Sequence, residues 1–249
     1  MDIRLLGEVQ LRIGGRAVPL GPRQRQQVFA MLALEVNRVL SLTSLVDRVW
    51  ARRPPRTAQH AVEVHVSDLR RRIEDGGAAA CLERRGAGYR LCADPQTVDV
   101  HQFRALVAHA RTQTSDTDRA DLLRQALRLW RGPALTGVVE ESLREHLVAD
   151  LEEARLHAVE DRAAALIRLR RHREVVEDLL PVVADHPLRE HLAGQLAFGL
   201  HGIGQTVRAL QLLRDTRRRL FDEFGVDPGM ALRRVETAIL QDNAAPIAS

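Results

Sequence analysis

Three observations predict a mainly α fold in two parts. Short apolar runs broken by glycine turns open the chain, and amphipathic patterns of helical period dominate the remainder. A proline-bearing break at Ala93–Thr97 then separates a positively charged first part from a near-neutral second. Domains spanning 1–95 and 96–249 are the expectation, and 249 residues suit two domains of ordinary size. Residues 1–95 carry 16 arginines against 10 acidic side chains; residues 96–249 carry 21 against 23. The first part is therefore the candidate for a polyanionic partner and the second for protein contacts.

Ile3–Leu6, Val9–Ile13 and Ala17–Leu20 read as three short strands, interrupted near Gly7 and at Gly14-Gly15. Pro22 opens a helix whose one face carries Val28, Leu32 and Val36. A second, shorter helix follows Ser41 or Thr43 and carries Leu45, Val46, Val49 and Trp50. The RRPPR run at 52–56 stops it, because neither proline continues the hydrogen-bond ladder. The third helix starts near Thr57, a residue suited to an N-cap. Val62, Val66, Leu69 and Ile73 then fall four, three and four apart, one stripe facing a core. Gly76-Gly77 end that helix. Cys81–Arg84 and Tyr89–Cys92 pair as a hairpin across Arg85-Gly86-Ala87-Gly88, whose glycines supply positive φ.

Helical patterns cover about 99–112, 118–130, 141–169, 173–184, 188–201, 205–223 and 229–241. Aligning the chain on itself at an offset of 34 brings Ala163 onto Ala197, Leu166 onto Leu200, Leu169 onto Ile203, Val176 onto Leu210 and Leu179 onto Leu213. That period belongs to tetratricopeptide helix pairs, which bury their faces by stacking on neighbours. Gly202 and Gly204 ease the turn inside the second pair. The fold class is thus an N-terminal winged helix-turn-helix with small β-sheets, followed by an all-α tetratricopeptide-like domain.

In such a winged helix the third helix enters the major groove of double-stranded DNA and the hairpin follows the adjacent backbone or minor groove. Opposite the apolar stripe lie His60, Val64, Ser67 and Arg71, with Asp68 at the margin. Arg71 can reach a guanine edge or a phosphate, Ser67 either, and Val64 a thymine methyl. Arg70 and Arg72 flank this arc and suit phosphate contacts, while Arg84 and Arg85 are the candidate wing contacts. Taken alone, the RRR run at 70–72 also reads as a solvated helix end that favours its own dipole.

The sequence offers little for catalysis. There is no HExxH, no CxxC and no phosphate-cradling glycine loop, so no cofactor, metal or catalytic residue is expected. His60 and His65 sit about 140° apart around a helix, poor geometry for joint ligation. The remaining eight histidines read as surface or turn residues. Cys81 and Cys92 flank the hairpin; a disulfide is conceivable, but two small buried side chains are the preferred reading. Glu140, Glu141, Glu145, Glu152 and Glu153 interleave with arginines as solvated helix faces or a partner surface, and Trp50 and Trp130 read as core. Trp130 stands before Arg131-Gly132-Pro133, placed to wedge between early and later helices of the second domain. No apolar run reaches the length of a membrane span and the N-terminus is no signal peptide, so a cytoplasmic, nucleoid-associated protein is expected.

These motifs resemble a known family. LGPRQRQQVFAMLALEVNRVLSLTSLVDRVW, TAQHAVEVHVSDLRRRI and RRGAGYRL are similar to the OmpR-type DNA-binding domain of the Streptomyces antibiotic regulatory proteins. VDVHQFRALVAHAR, ALRLWRGPAL, HPLREHLAGQLAFGL and FDEFGVDPGMALRRVETAIL are similar to the bacterial transcriptional activator domain that follows it in that family. The resemblance implies an activator of a secondary-metabolite (antibiotic) gene cluster. It further implies binding to direct repeats near promoters, self-association on DNA, and contact with RNA polymerase and its principal sigma factor. A repressor, or a helical-repeat protein using the same fold for protein contacts, stands as the alternative. One departure matters. Asp68 stands where the family commonly carries arginine on the DNA-facing side of the third helix. An aspartate there repels phosphate, but it can accept from a cytosine amino group, or pair with Arg71 or Arg72 and orient them.

Overall fold

In the computed structural model, which describes residues 1–50, 54–78, 80–139 and 141–241 and the side chains of all of these except 141–147, the chain forms two units. The first comprises residues 1–106 with 126–154, the second residues 107–125 with 155 onward.

The first unit begins with an antiparallel sheet of β1 (Asp2–Arg4), β2 (Gln10–Ile13) and β3 (Arg16–Val18), in which Ile3 faces Leu11 and Leu11 faces Val18. β1 stops two residues short of the apolar run that predicts it, because Leu5 and Leu6 have other partners. Their amides donate to the Asp99 carboxylate, Leu5 at 2.8 Å to Oδ1 and Leu6 at 3.0 Å to Oδ2. Their carbonyls accept from Leu135 and Arg131, both at 2.9 Å. Arg131 also donates to Asp99 at 3.0 Å. Asp99 is 4% exposed, and burial pushes its carboxyl above the usual range while the Leu6 and Leu5 amides and then Arg131 pull it back.

Helix α1 (Arg23–Leu34) follows Pro22 as expected and buries Val28, Phe29, Met31 and Leu32; Val36 lies past its end and is still buried. A two-residue strand β4 (Leu40–Ser41) leads into α2 (Leu42–Trp50), whose Ser44 amide donates to Ser41 Oγ at 3.1 Å. Arg52 and Arg53 of the RRPPR stop lie outside the described residues. Helix α3 (Ala58–Asp75) packs on α1 and α2 through Val62, Val66, Leu69 and Ile73, all at most 1% exposed. Thr57 occupies the N-cap position, but its ψ of 7° departs from the extended backbone a cap needs, and its side chain makes no capping bond.

β5 (Cys81–Arg85) and β6 (Gly88–Cys92) form the hairpin, each one residue longer than predicted, around Gly86-Ala87. The sequence did not announce β4, which joins them to give the order β4-β6-β5. Only Gly86 of the two glycines needs a positive φ, +55°. Gly88 is there because β4 passes against it: a Cβ at that position would collide with the Leu40 carbonyl. Leu82, Tyr89 and Leu91 point inward, whereas Cys81 is exposed and Cys92 half-buried, both as free thiols. The expectation of two buried cysteines is corrected by strand alternation, which assigns the inner face to the larger apolar side chains.

A 3-10 turn at Pro95–Thr97, capped by Asp94, leads into α4 (Asp99–Thr112), α5 (Asp116–Leu127) and α6 (Glu141–Arg168). Trp130 is half-buried, edge-on to Phe103 of α4 with ring centroids 5.5 Å apart. Of the acidic cluster, Glu140 and the side chains of Glu141 and Glu145 lie outside what is described. Glu152 is more than a solvated face, accepting from the Ala134 amide at 3.1 Å.

In the second unit, α7 (His172–Asp185), α8 (Glu190–Gly202), α9 (Thr206–Phe224) and α10 (Met230–Leu240) pack in succession, α8 lying against α7, α9 and α10. The 34-residue repeat extends to the backbone. The Leu169, Arg170 and Arg171 amides donate to Ala165, Ile167 and Leu166; the Ile203, Gly204 and Gln205 amides donate to Gly199, His201 and Leu200. Arg170 and Gly204, 34 apart, take φ of 59° and 81°. Gly202 serves differently from the turn role expected of it. A Cβ there would run into the His172 ring, which packs on Phe198, so His172 belongs to the helix interface rather than the surface.

Candidate nucleic-acid interface

With the inner stripe of α3 buried against α1 and α2, the helix turns His60, Val64, Ser67 and Arg71 outward, all exposed. Beside them the wing presents Arg84 and Arg85, with side chains 64% and 57% exposed. The six residues sit on two rigid, packed elements. The resulting surface combines hydrogen-bond donors, one apolar side chain and exposed guanidinium groups, a set able to contact groove edges and backbone oxygens.

The flanking arginines are tied down more than their sequence position indicates. Arg70 Nε donates to the Leu82 carbonyl at 2.8 Å, joining α3 to the wing. Arg72 Nη1 donates to the Pro19 carbonyl at 2.8 Å, joining α3 to the segment after β3. Each keeps further guanidinium nitrogens for a phosphate.

Acidic side chains hold the outward arginines in the free protein. Glu83 Oε2 accepts from Arg85 Nε at 2.8 Å and Arg90 Nη2 at 2.9 Å, and Arg90 followed by Arg85 holds the Glu83 carboxyl down at about 2. Glu63 lies 3.7 Å from Arg84 and 3.9 Å from His60. These are surface pairs of small net strength, so a phosphate can replace them.

Asp68 has two partners. Its Oδ1 lies 3.4 Å from Arg71 Nη2, and its Oδ2 accepts from Arg25 Nη2 of α1. Arg72 is not among them. Arg25 is 8% exposed and stands under the helix, with Gly21 (φ +84°) making room for it: a Cβ there would lie 2.6 Å from Arg25 Nη1. Asp68 therefore neutralises a buried cation first and steers Arg71 second. His65, on the same side, is pushed below the usual histidine range by burial, then by Arg25, against a smaller opposing effect of Asp68. Sequence reasoning missed Arg25, although a signal was present. It falls three residues before Val28 on the apolar stripe of α1, and an arginine buried there requires a carboxylate.

The chain is similar to known transcriptional regulators. Residues 98–240 match the family described as bacterial transcriptional activator domain, and residues 15–91 match transcriptional regulatory protein, C terminal. The chain is 34% identical over 251 residues to regulatory protein DnrI of Streptomyces peucetius, covering 97% of this chain and 92% of that protein. It is 35% identical to transcriptional regulator RedD of Streptomyces coelicolor, over 96% of this chain and 70% of that one. Among solved structures, Mycobacterium tuberculosis EmbR in complex with a low affinity phosphopeptide superposes with a TM-score of 0.90 at 30% identity. That match covers 99% of this chain and 66% of the EmbR chain.

Proposed function

The chain belongs to the Streptomyces antibiotic regulatory protein family of transcriptional regulators, and from that premise we propose that α3 is its reading helix and the β5–β6 hairpin its wing. It is a sequence-specific DNA-binding transcriptional activator of antibiotic biosynthesis genes, from a family of transcription factors rather than enzymes. The observation that carries the assignment of α3 is its two-sidedness. One stripe is at most 1% exposed, and the opposite one offers His60, Val64, Ser67 and Arg71 next to the wing arginines.

In this reading Arg71 and Ser67 contact base edges, Val64 packs on a thymine methyl, and His60 lies at the helix start beside the backbone. Arg70, Arg72, Arg84 and Arg85 position the protein on phosphates. Asp68 keeps its carboxylate for Arg25 and Arg71 instead of a base. Residues 1–95 act as the reading module and 96–249 as the contact module, engaging direct repeats near the promoter as more than one protomer and contacting RNA polymerase, including its principal sigma factor. Phe221, Phe224 and Met230 support a protein-contacting role for the second unit, since each is more than 60% exposed. A cytoplasmic, nucleoid-associated location accords with this role; among the described residues no helix is long and apolar enough to cross a membrane.

Footprinting across the intergenic regions of the neighbouring biosynthetic genes tests the reading, with affinity measured over a salt series. Protected direct repeats and a steep fall of affinity with salt are expected. Arg71→Ala is expected to cost about 1–3 kcal/mol at the cognate site and little on random DNA. An equal loss on both would mark Arg71 as a phosphate contact. Absence of any preference for these promoters over random DNA at moderate salt would overturn the assignment.

A further inference from the structure

The outward face at the open end of the hairpin holds a cluster that DNA reading leaves unused. Cys81 and Cys92 are direct cross-strand partners, and Glu83 lies two residues from Cys81 on the same face. Cys81 Sγ lies 3.5 Å from Glu83 Oε1, and the two sulfurs and a Glu83 oxygen all lie within 4.8 Å of one another. The strand end beside Cys92 is fixed: Asn37 donates its amide to the Leu91 carbonyl at 2.8 Å, and its side chain bonds both the amide and the carbonyl of Ala93.

We propose that Cys81, Cys92 and Glu83 form a binding site for a zinc-class divalent cation, with water or an external ligand in the fourth position. A tetrahedral zinc with bonds of about 2.3 Å to sulfur and about 2.0–2.2 Å to oxygen needs donor atoms roughly 3.5–3.8 Å apart. The three donors already approach that spacing, so small rotamer adjustments close the site without moving either strand. Two thiolates and one carboxylate repel one another when ionised, and a cation at their centre reverses that repulsion. Thiolate donors select zinc over magnesium or calcium. A disulfide would engage the two sulfurs alone and would not use the carboxylate beside them. Zinc uptake also competes with Arg85 and Arg90 for Glu83, which couples the site to the wing if the DNA reading holds.

The test uses the full chain, reduced with a phosphine, without DNA, so its outcome is independent of that reading. Zinc chloride is titrated in competition with a chromophoric chelator, and cobalt(II) chloride in parallel reports thiolate ligation by charge-transfer absorption. One equivalent of zinc and a thiolate–cobalt band are expected. Cys81→Ser and Cys92→Ser are each expected to weaken binding roughly tenfold or more, and the double variant to lose the band. Glu83→Gln, which leaves both thiols and the strand pairing intact, is expected to weaken zinc binding while keeping the band. Failure of the reduced chain to take up zinc would overturn the proposal. So would uptake unchanged in the double serine variant.

Discussion

Arg25 on α1 and Asp68 on α3 form an ion pair beneath the proposed reading face, with Arg25 10% and Asp68 29% exposed at their side chains. The pair gives Asp68 a structural role. Burying a guanidinium group away from water carries a free-energy cost that a carboxylate partner offsets, so removing Asp68 leaves an uncompensated charge. Asp68→Ala is therefore expected to lower unfolding free energy by about 2 kcal/mol, less than the loss at a fully enclosed pair because Asp68 keeps some solvent contact. Asp68→Arg is expected to cost more, since it sets two cations against each other. Urea unfolding distinguishes these outcomes; midpoints equal to that of the unaltered chain would show that Arg25 is satisfied without Asp68.

Asp99 is the second such anchor. It accepts from the Leu5 and Leu6 amides and from Arg131, so one carboxylate ties the residues that follow β1, the start of α4 and the segment before α6. Asp99→Ala strands two main-chain donors and one guanidinium group. A loss of about 3–5 kcal/mol is expected. Hydrogen exchange offers a local check, because the Leu5 and Leu6 amides should lose protection before those of α3 do. Retained protection at both amides would show that they find other acceptors.

The sequence exposed most of this fold because helices of ten or more residues repeat their period often enough to be read. α4 begins and ends where its pattern does, and the 34-residue repeat reaches down to matched backbone bonds at Arg171 and Gln205. What stayed hidden was short or long-range. β4 has two residues and hence no period, and Gly88 shows its purpose only once β4 lies against it. Asp99 reads locally as an ordinary helix-start acid; the two amides it holds, those of Leu5 and Leu6, are more than 90 residues away in sequence. On the interface, exposure followed from helical spacing at His60, Val64, Ser67 and Arg71. The engagement of Arg70, Arg72 and Asp68 depended on neighbours that spacing does not specify.

The two wing glycines should behave differently. Gly86→Ala places a side chain at φ +55° in open space, at a cost of about 1 kcal/mol. Gly88→Ala drives a methyl group into the Leu40 carbonyl and breaks the β4–β6 pairing, with an expected loss of about 1–3 kcal/mol. Because β6 carries the wing, the second variant is also expected to bind promoter DNA more weakly at a temperature where it remains folded, whereas the first keeps near-normal affinity. Equal affinities for the two variants would mean that the wing does not depend on β4 for its placement.

The second unit should show its own pH dependence through Glu160. That side chain is 8% exposed, 2.6 Å from Arg189 Nε and 3.6 Å from His191 Nδ1. Burial alone would raise its carboxyl, but the bonds with His191 and Arg189 outweigh burial and hold it at about 2, below the ordinary 4.5. A carboxyl lowered on folding contributes stability that is complete above pH 4.5 and is lost as pH falls from 4.5 toward 2. The loss over that interval is at most roughly 3 kcal/mol. His191 is raised by the same contact, so its contribution is complete below its ordinary 6.5 and fades as pH climbs through the folded value. Urea unfolding as a function of pH should thus give a plateau between 4.5 and 6.5 from this cluster, with losses on both sides. Glu160→Gln should flatten both limbs, and His191→Gln mainly the upper one, because Arg189 still holds the carboxylate. An acid limb unchanged in Glu160→Gln would place the controlling carboxyl elsewhere, with Asp116, lowered by its bond to Arg168, the next to substitute.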